Sequence, residues 1–227
     1  MSTGSYHPST IFIREAVTIL KEMGFDLFEG PEVDNEWYNF DAINMPDDHP
    51  ARDMQDTFWL TDGKLLRTQT SNCQIRYGKK HKPPFAVMVP GKTYRNEATD
   101  ARHENSFIQI EGLYVDKNVS VGHLKFTLEH FFKKMFGNDA KTRFRPSFFP
   151  FVEPGFEVDV YHQGEWLELL GAGMVHPKVI SNMGIDPKKY SGFAFGMGVE
   201  RMLMIKYGID DIRDFRSGDL RFLKQFS

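Results

Sequence analysis

Cysteine is almost missing from this chain: Cys73 stands alone among 227 residues. A single thiol excludes an intramolecular disulfide framework and a cysteine-built zinc site, and points to a reducing, cytoplasmic setting. Long apolar runs are lacking, so no segment of about 18 residues qualifies as a membrane span. An excess of one charge is lacking as well, with 28 Lys and Arg against 31 Asp and Glu, a formal net charge of −3. A chain so balanced exerts no global pull on nucleic acid, and any such contact must come from local patches or a partner. Met1-Ser2-Thr3-Gly4-Ser5 carries no signal-peptide pattern. Repeats, low-complexity tracts and linker-like composition are lacking too, which predicts one domain over 1–227.

Phenylalanine is plentiful, at 21 residues. Two of these sit in Gly192-Phe193-Ala194-Phe195-Gly196-Met197-Gly198-Val199-Glu200-Arg201, the most informative stretch of the chain. Glycines at that density let backbone approach a ligand closely. A helix starting at Val199 would aim its N-terminus at an anion, and Arg201 would add a planar fork of donors for phosphate oxygens. Upstream, a helix is expected after His7-Pro8, capped by Ser9 or Thr10 and ended by Gly24. Residues 35–56 read as a long loop and 57–67 as a hairpin, with a helix from about Ser71 to Lys79. A strand over 85–94, interrupted at Pro90-Gly91, pairs with one over 107–115. A helix spans 124–135, and three strands fall between Arg143 and Gly173, turning at Pro154-Gly155 and Gln163-Gly164. These elements predict an α+β domain, an antiparallel sheet flanked by helices.

Three further segments carry chemistry. In Tyr94-Arg95-Asn96-Glu97 followed by Phe107-Ile108-Gln109-Ile110-Glu111, residues 107, 109 and 111 alternate onto one strand face. Arg95 beside the aromatic Phe107 makes a sandwich for a purine and its phosphate, while Gln109 and Glu111 offer acceptors to an ammonium group. Burying that Gln and Glu beside Phe107 is costly unless something satisfies them. In Phe149-Pro150-Phe151, two rings on one face make a slot for a third, or simply pack a core. Ala194 is small enough to leave room for such a ring. Thr68-Gln69-Thr70-Ser71 with Gln74 either caps a helix or holds the polar end of a small zwitterion. The histidines show no metal-ligand spacing.

Together these segments resemble the catalytic α subunits of bacterial-type phenylalanyl-tRNA synthetases, a family of class II aminoacyl-tRNA synthetases, from about His7 to Phe226. The first helix with Gly30-Pro31-Glu32 is similar to the family's motif 1, Tyr94–Gly112 to motif 2 and Gly196–Arg201 to motif 3. The resemblance implies the class II antiparallel sheet and an ATP- and Mg²⁺-dependent enzyme that activates phenylalanine and charges tRNA(Phe). It implies that Arg95 grips the α-phosphate and Arg201 the distal phosphates, with Phe107 on adenine and Glu97 and His103 beside the nucleotide. Ser71, Gln74, Gln109 and Glu111 would hold the amino acid's polar end, Phe149, Phe151, Val152 and Ala194 its ring, and Glu153 the magnesium. It also implies a homodimer through motif 1, a β subunit in a heterotetramer, or both.

Gln69 and Ile108 stand where many members have histidine, near the expected amino-acid site. The long N-terminal helical arm usual in the family has no room here. An amino-acid-activating paralogue with a non-tRNA acceptor remains an alternative, as does a non-catalytic binding module, although Arg95, Glu97 and Arg201 speak against the latter.

Overall fold

Helix α1, Pro8–Glu22, begins with a proline whose missing N–H costs nothing in a first turn. Its cap is neither Ser9 nor Thr10 but His7, whose Nδ1 accepts from the Ser9 N–H at 3.2 Å. Phe12, Ala16, Ile19 and Leu20 form its buried stripe, and Gly24 (φ +87°) turns the chain out of the helix. This is a computed structural model, describing residues 4, 6–53, 56–101, 104–162 and 164–226, apart from the side chains of residues 51 and 53.

Strand β1, Asp26–Leu27, follows, then β2, Val33–Asp34. Residues 35–53 are not the long loop their composition suggests. They fold into helix α2 (Glu36–Asn39), a 3-10 turn (Asp41–Ile43) and helix α3 (Pro50–Asp53). The polar residues that suggested a loop serve as caps and ties: the Asn35 side chain accepts from the Tyr38 N–H at 3.0 Å, and Arg52 Nε donates to Met45 O at 2.8 Å. Ala42, Ile43 and Met45 are buried beneath them. The expected 57–67 hairpin is present in short form: the Leu60 N–H donates to Lys64 O at 2.8 Å and the Leu66 N–H to Phe58 O at 2.9 Å around the Trp59–Leu65 bridge, while β3 (Leu65–Leu66) pairs on its other edge with β2. Helix α4, Asn72–Gly78, comes next.

The remaining elements are β4 (Phe85–Tyr94), β5 (Ser106–Asp116), α5 (Val121–Phe136), β6 (Lys141–Phe149), β7 (Val152–His162), β8 (Glu165–Val175), α6 (Pro177–Asn182), β9 (Ser191–Gly198), α7 (Val199–Tyr207) and α8 (Leu220–Leu223), with 3-10 turns at Ile212–Phe215 and Lys224–Phe226. Seven strands form one sheet in the order β1-β4-β5-β9-β8-β7-β6, parallel only between β1 and β4. Strand β4 runs unbroken through Pro90-Gly91, and the turn between β6 and β7 lies at Pro150-Phe151, not at Pro154-Gly155. Pro154 and Gly155 fall inside β7, where the register shifts.

Alternation along β5 divides the core. Ile108, Ile110 and Tyr114 pack with α1, α5 and α7 on one face of the sheet. Leu113 and Val115 face the opposite cluster, built from residues 40–45, α4, α6 and Ala194. That second face is only partly covered, and the uncovered part is where the ligand-sized space lies.

Arg67 staples the second face together. It is 2% exposed and donates to three backbone oxygens, from Nε to Lys92 O at 2.7 Å and from Nη1 to Gly30 O at 3.0 Å and Pro31 O at 3.2 Å. Gly91 leaves it room, since a Cβ there would sit 2.0 Å from Nη2. Arg67→Met is therefore expected to destabilise the protein by about 3 kcal/mol in urea unfolding, because buried carbonyls lose their donors. An unchanged midpoint would show that Arg67 does not hold these segments.

Candidate active site

Glu111 is the pivot of the site. Strand β5 turns it away from the helices, into a region where it is 3% exposed. Ser71 Oγ donates to it at 3.0 Å, Thr70 Oγ1 at 3.4 Å and Gln109 Nε2 at 3.3 Å, and the Gln74 amide makes a short hydrogen bond. Ser71 precedes α4 yet makes no side-chain capping bond; its hydroxyl is spent on Glu111. Burial pushes the Glu111 carboxyl up to about 7, against the pull of Gln74, Ser71 and Thr70. Such a group is poised to take a cation.

Two buried polar atoms beside it have no partner among the described residues: Gln109 Oε1 and Arg95 Nε. Buried groups left this way are costly unless water or a ligand satisfies them. Burial also lowers the Arg95 pKa from its ordinary value, opposed by Glu97.

A cavity of about 790 Å³ opens over these atoms, within the roughly 300–1,000 Å³ range of small-ligand clefts. Ser71, Arg95, Gln109 and Glu111 make its polar end; Phe149, Phe151, Val152 and Ala194 make its apolar end. The two phenylalanine rings stack at 6.0 Å and 23°, brought together by the β6–β7 turn rather than by alternation along one strand. Small residues make the space. A Cβ at Gly171 would come within 2.9 Å of the Phe149 ring, and one at Gly196 within 2.4 Å of Gln109 Nε2.

A second hollow of about 180 Å³ adjoins the first at Arg95, which lines both. Glu97, Phe107, Gly198 and Arg201 line it with Glu104, Glu200 and Ile212. The Arg95 guanidinium carbon lies 5.1 Å from the Phe107 ring centroid. Helix α7 starts at this hollow, so its free N–H groups add positive potential there. Glu200 is buried and accepts from the Ile108 N–H at 2.9 and 3.1 Å, tying α7 to β5.

The expected residues thus gather, with three qualifications. Gln74 lies behind the cavity and acts on it through Glu111. Glu153 lines neither hollow; its exposed carboxylate faces His176 Nε2 at 3.7 Å. His103 falls outside the described residues. Gln69 does line the cavity and donates to Asn39 O at 3.1 Å, whereas the Ile108 side chain packs on the opposite, helical face of the sheet. Ile108 therefore touches the site only through its backbone. Among the described residues no three His, Cys, Asp or Glu side chains converge as a ready-made metal site. Magnesium, which takes one or two carboxylates and completes its shell with water and substrate phosphates, would have Glu97, Glu104 and Glu200 of the smaller hollow to rest on rather than Glu153.

Sequence reasoning missed Gly171, Glu104, Glu200 and Ile212. The run Gly171-Ala172-Gly173 inside a strand was the available signal, since small residues there mark a close approach. Nothing local marks Ile212, which reaches the hollow only through the fold.

The chain is similar to known proteins along nearly its whole length. The family described as tRNA synthetases class II core domain (F) matches residues 1–226. The phenylalanine–tRNA ligase alpha subunit of Thermotoga petrophila is 56% identical over 224 residues, covering 98% of this chain and 69% of its own length. Its counterpart in Bacillus subtilis is 52% identical over 240 residues, covering all of this chain and 70% of its own length. Among solved structures, a pyrrolysyl-tRNA synthetase from Desulfitobacterium hafniense superposes with a TM-score of 0.75 at 19% identity, over 95% of this chain and 75% of that one. That likeness shows the class II fold, which the mostly antiparallel sheet also displays. Because alpha subunits of one enzyme match nearly the whole chain at more than half identity, it belongs to the class II aminoacyl-tRNA synthetases and, within them, to the phenylalanine–tRNA ligase alpha subunits.

Proposed function

We propose that this chain activates L-phenylalanine with ATP and, with a beta chain, transfers the aminoacyl group to tRNA(Phe). The observation that carries this reading is Arg95, common to both hollows and holding a buried Nε with no partner among the described residues. The amino-acid carboxylate enters from the larger cavity and the nucleotide from the smaller. They meet at Arg95. The α-ammonium group rests on Glu111 and Gln109, and the benzyl ring lies between Phe149, Phe151 and Ala194.

A carboxylate oxygen attacks the α-phosphorus, the bond from that phosphorus to the bridging oxygen breaks, and pyrophosphate leaves. The chain supplies position and charge rather than a covalent intermediate. Arg95 neutralises charge growing on the α-phosphate, and Arg201 that on the leaving group. A ribose hydroxyl of the tRNA terminus then attacks the acyl carbon and AMP departs. Magnesium held by glutamates of the smaller hollow would add positive charge beside the phosphates.

Amino-acid-dependent ATP–pyrophosphate exchange tests the reading, with and without a beta chain; absence of exchange with every amino acid in both conditions overturns it. Exchange without tRNA charging in the presence of the partner would point to a different acyl acceptor. Ala194→Trp probes the slot: Ala194 is buried and faces the cavity, so an indole should fill it. Phenylalanine-dependent exchange is expected to fall at least about 100-fold while ATP binding persists. Unaltered phenylalanine kinetics would place the ring elsewhere.

A further inference from the structure

The smaller hollow has a wall that comes from the far end of the chain. Ile212 lines it beside Glu104 and Phe107, although more than a hundred residues separate it from either. The segment 211–216 is firmly seated. Ile212 and Phe215 are buried in the helical core. His7 adds a third anchor. Its Nδ1 is taken by the Ser9 N–H, so Nε2 carries the proton and donates to Phe215 O at 2.8 Å.

This seated segment holds the connection between β4 and β5 at two described residues, Ala101 and Ser106. The Ile212 N–H donates to Ala101 O at 3.0 Å, at the middle of the loop. At its end, Arg216 Nη1 donates to Ser106 Oγ at 2.6 Å, its other amino group donates to Ser106 O, and Glu104 lies 3.7 Å away. The Glu104 side chain, 10% exposed, points into the hollow's lining. On the other side, the Arg95 N–H closes the hairpin on Asn105 O at 2.9 Å, and the Asn96 N–H donates to Asp56 O at 2.8 Å. Arg216 itself lines neither hollow. Whatever it does for a ligand, it does through the loop.

We propose that Arg216 is a positioning residue of the nucleotide subsite: with Ile212 it straps the 96–105 loop so that Arg95, Glu104 and Phe107 are set before ATP arrives. A loop of this length would otherwise spend part of the binding energy on its own ordering. Three donor–acceptor ties from a segment anchored by the buried Ile212 and Phe215 remove that cost beforehand. The inference rests on the reading that this hollow takes ATP.

The test compares Arg216→Met and Arg216→Lys in the assembled enzyme. In ATP–pyrophosphate exchange, Arg216→Met is expected to raise the KM for ATP about tenfold, with kcat at saturating ATP and the amino-acid KM held within about twofold. Arg216→Lys keeps a charged donor and should recover part of that loss. An unchanged KM for ATP overturns the proposal. So does a uniform loss in kcat and both KM values with a lowered Tm, which would mean a fold-wide role. A second readout needs no activity: hydrogen exchange at the Ile212 amide should quicken in Arg216→Met without substrates, and unchanged exchange there also overturns the strap. If the unaltered enzyme shows no pyrophosphate exchange at all, the ligase reading fails, while the Ile212 amide still decides whether Arg216 holds the loop.

Discussion

Arg95→Ala should abolish almost all adenylate formation, lowering kcat/KM for pyrophosphate exchange by about 100- to 1,000-fold, the scale for removing a preorganised charge donor. The same change should hardly disturb folding. Among the described residues the Arg95 side chain makes a cation–π contact with Phe107, worth about 1 kcal/mol, and is attracted by Glu97. Its Nε has no partner to strand among the described residues. Arg201→Ala should likewise weaken ATP use without a matching loss of Tm, because Arg201 is exposed on the first turn of α7. Activity measured at several ATP concentrations, beside a thermal melt, checks both variants. If activity and Tm fell together, the two arginines would be props of the fold instead of ligands for phosphate.

Glu111→Gln should raise the KM for phenylalanine about 100-fold and leave the KM for ATP nearly alone, since a charge-assisted bond to the α-ammonium would be lost. The protonation of Glu111 adds a pH signature. Its carboxyl titrates near 7, above the usual carboxylate range, because burial disfavours the anion. Below that pH it is neutral and receives the ammonium poorly, so the amino-acid KM should climb up to about tenfold per unit of falling pH. The free protein should behave oppositely. A carboxyl whose folded pKa is raised favours the folded state at low pH, and that stability is lost as pH rises from the unfolded value through about 7. Glu111→Gln should flatten both dependences, read from substrate kinetics and from melts between pH 5 and pH 8. A flat amino-acid KM in the unaltered protein would remove Glu111 from the substrate's amino group.

The chemistry-bearing residues were legible because each belongs to a short segment with its own local logic. The 107–109–111 stripe declares itself by strand alternation, and the structure bears out that geometry, with Gln109 and Glu111 facing the large cavity and Phe107 the small one. The glycine-rich strand leading into α7 declares itself by composition. Legibility failed where a residue's partner is remote. His7 was overlooked as a cap because an imidazole acceptor is an uncommon one beside Ser9 and Thr10. Residues 35–53 looked like loop because polarity was visible and the burial of Ala42, Ile43 and Met45 was not. Pro90-Gly91 looked like a break, yet Gly91 is needed inside β4 to admit Arg67. Ile108 looked like part of the site from its position between Phe107 and Gln109, yet a strand sends neighbours to opposite faces.

By itself the sequence determined the class of fold and pointed to Arg95, Arg201, Glu111 and the Phe149–Phe151 pair as candidates, because helix and strand periods, glycine and aromatic chemistry act over a few residues. Only the tertiary structure decided that Arg95 stands where two hollows meet, that Glu153 lies apart from them, and that a segment near the far end of the chain closes the smaller one. Those outcomes depend on which strands become neighbours and in what register, and contacts between residues a hundred positions apart leave no local period to read.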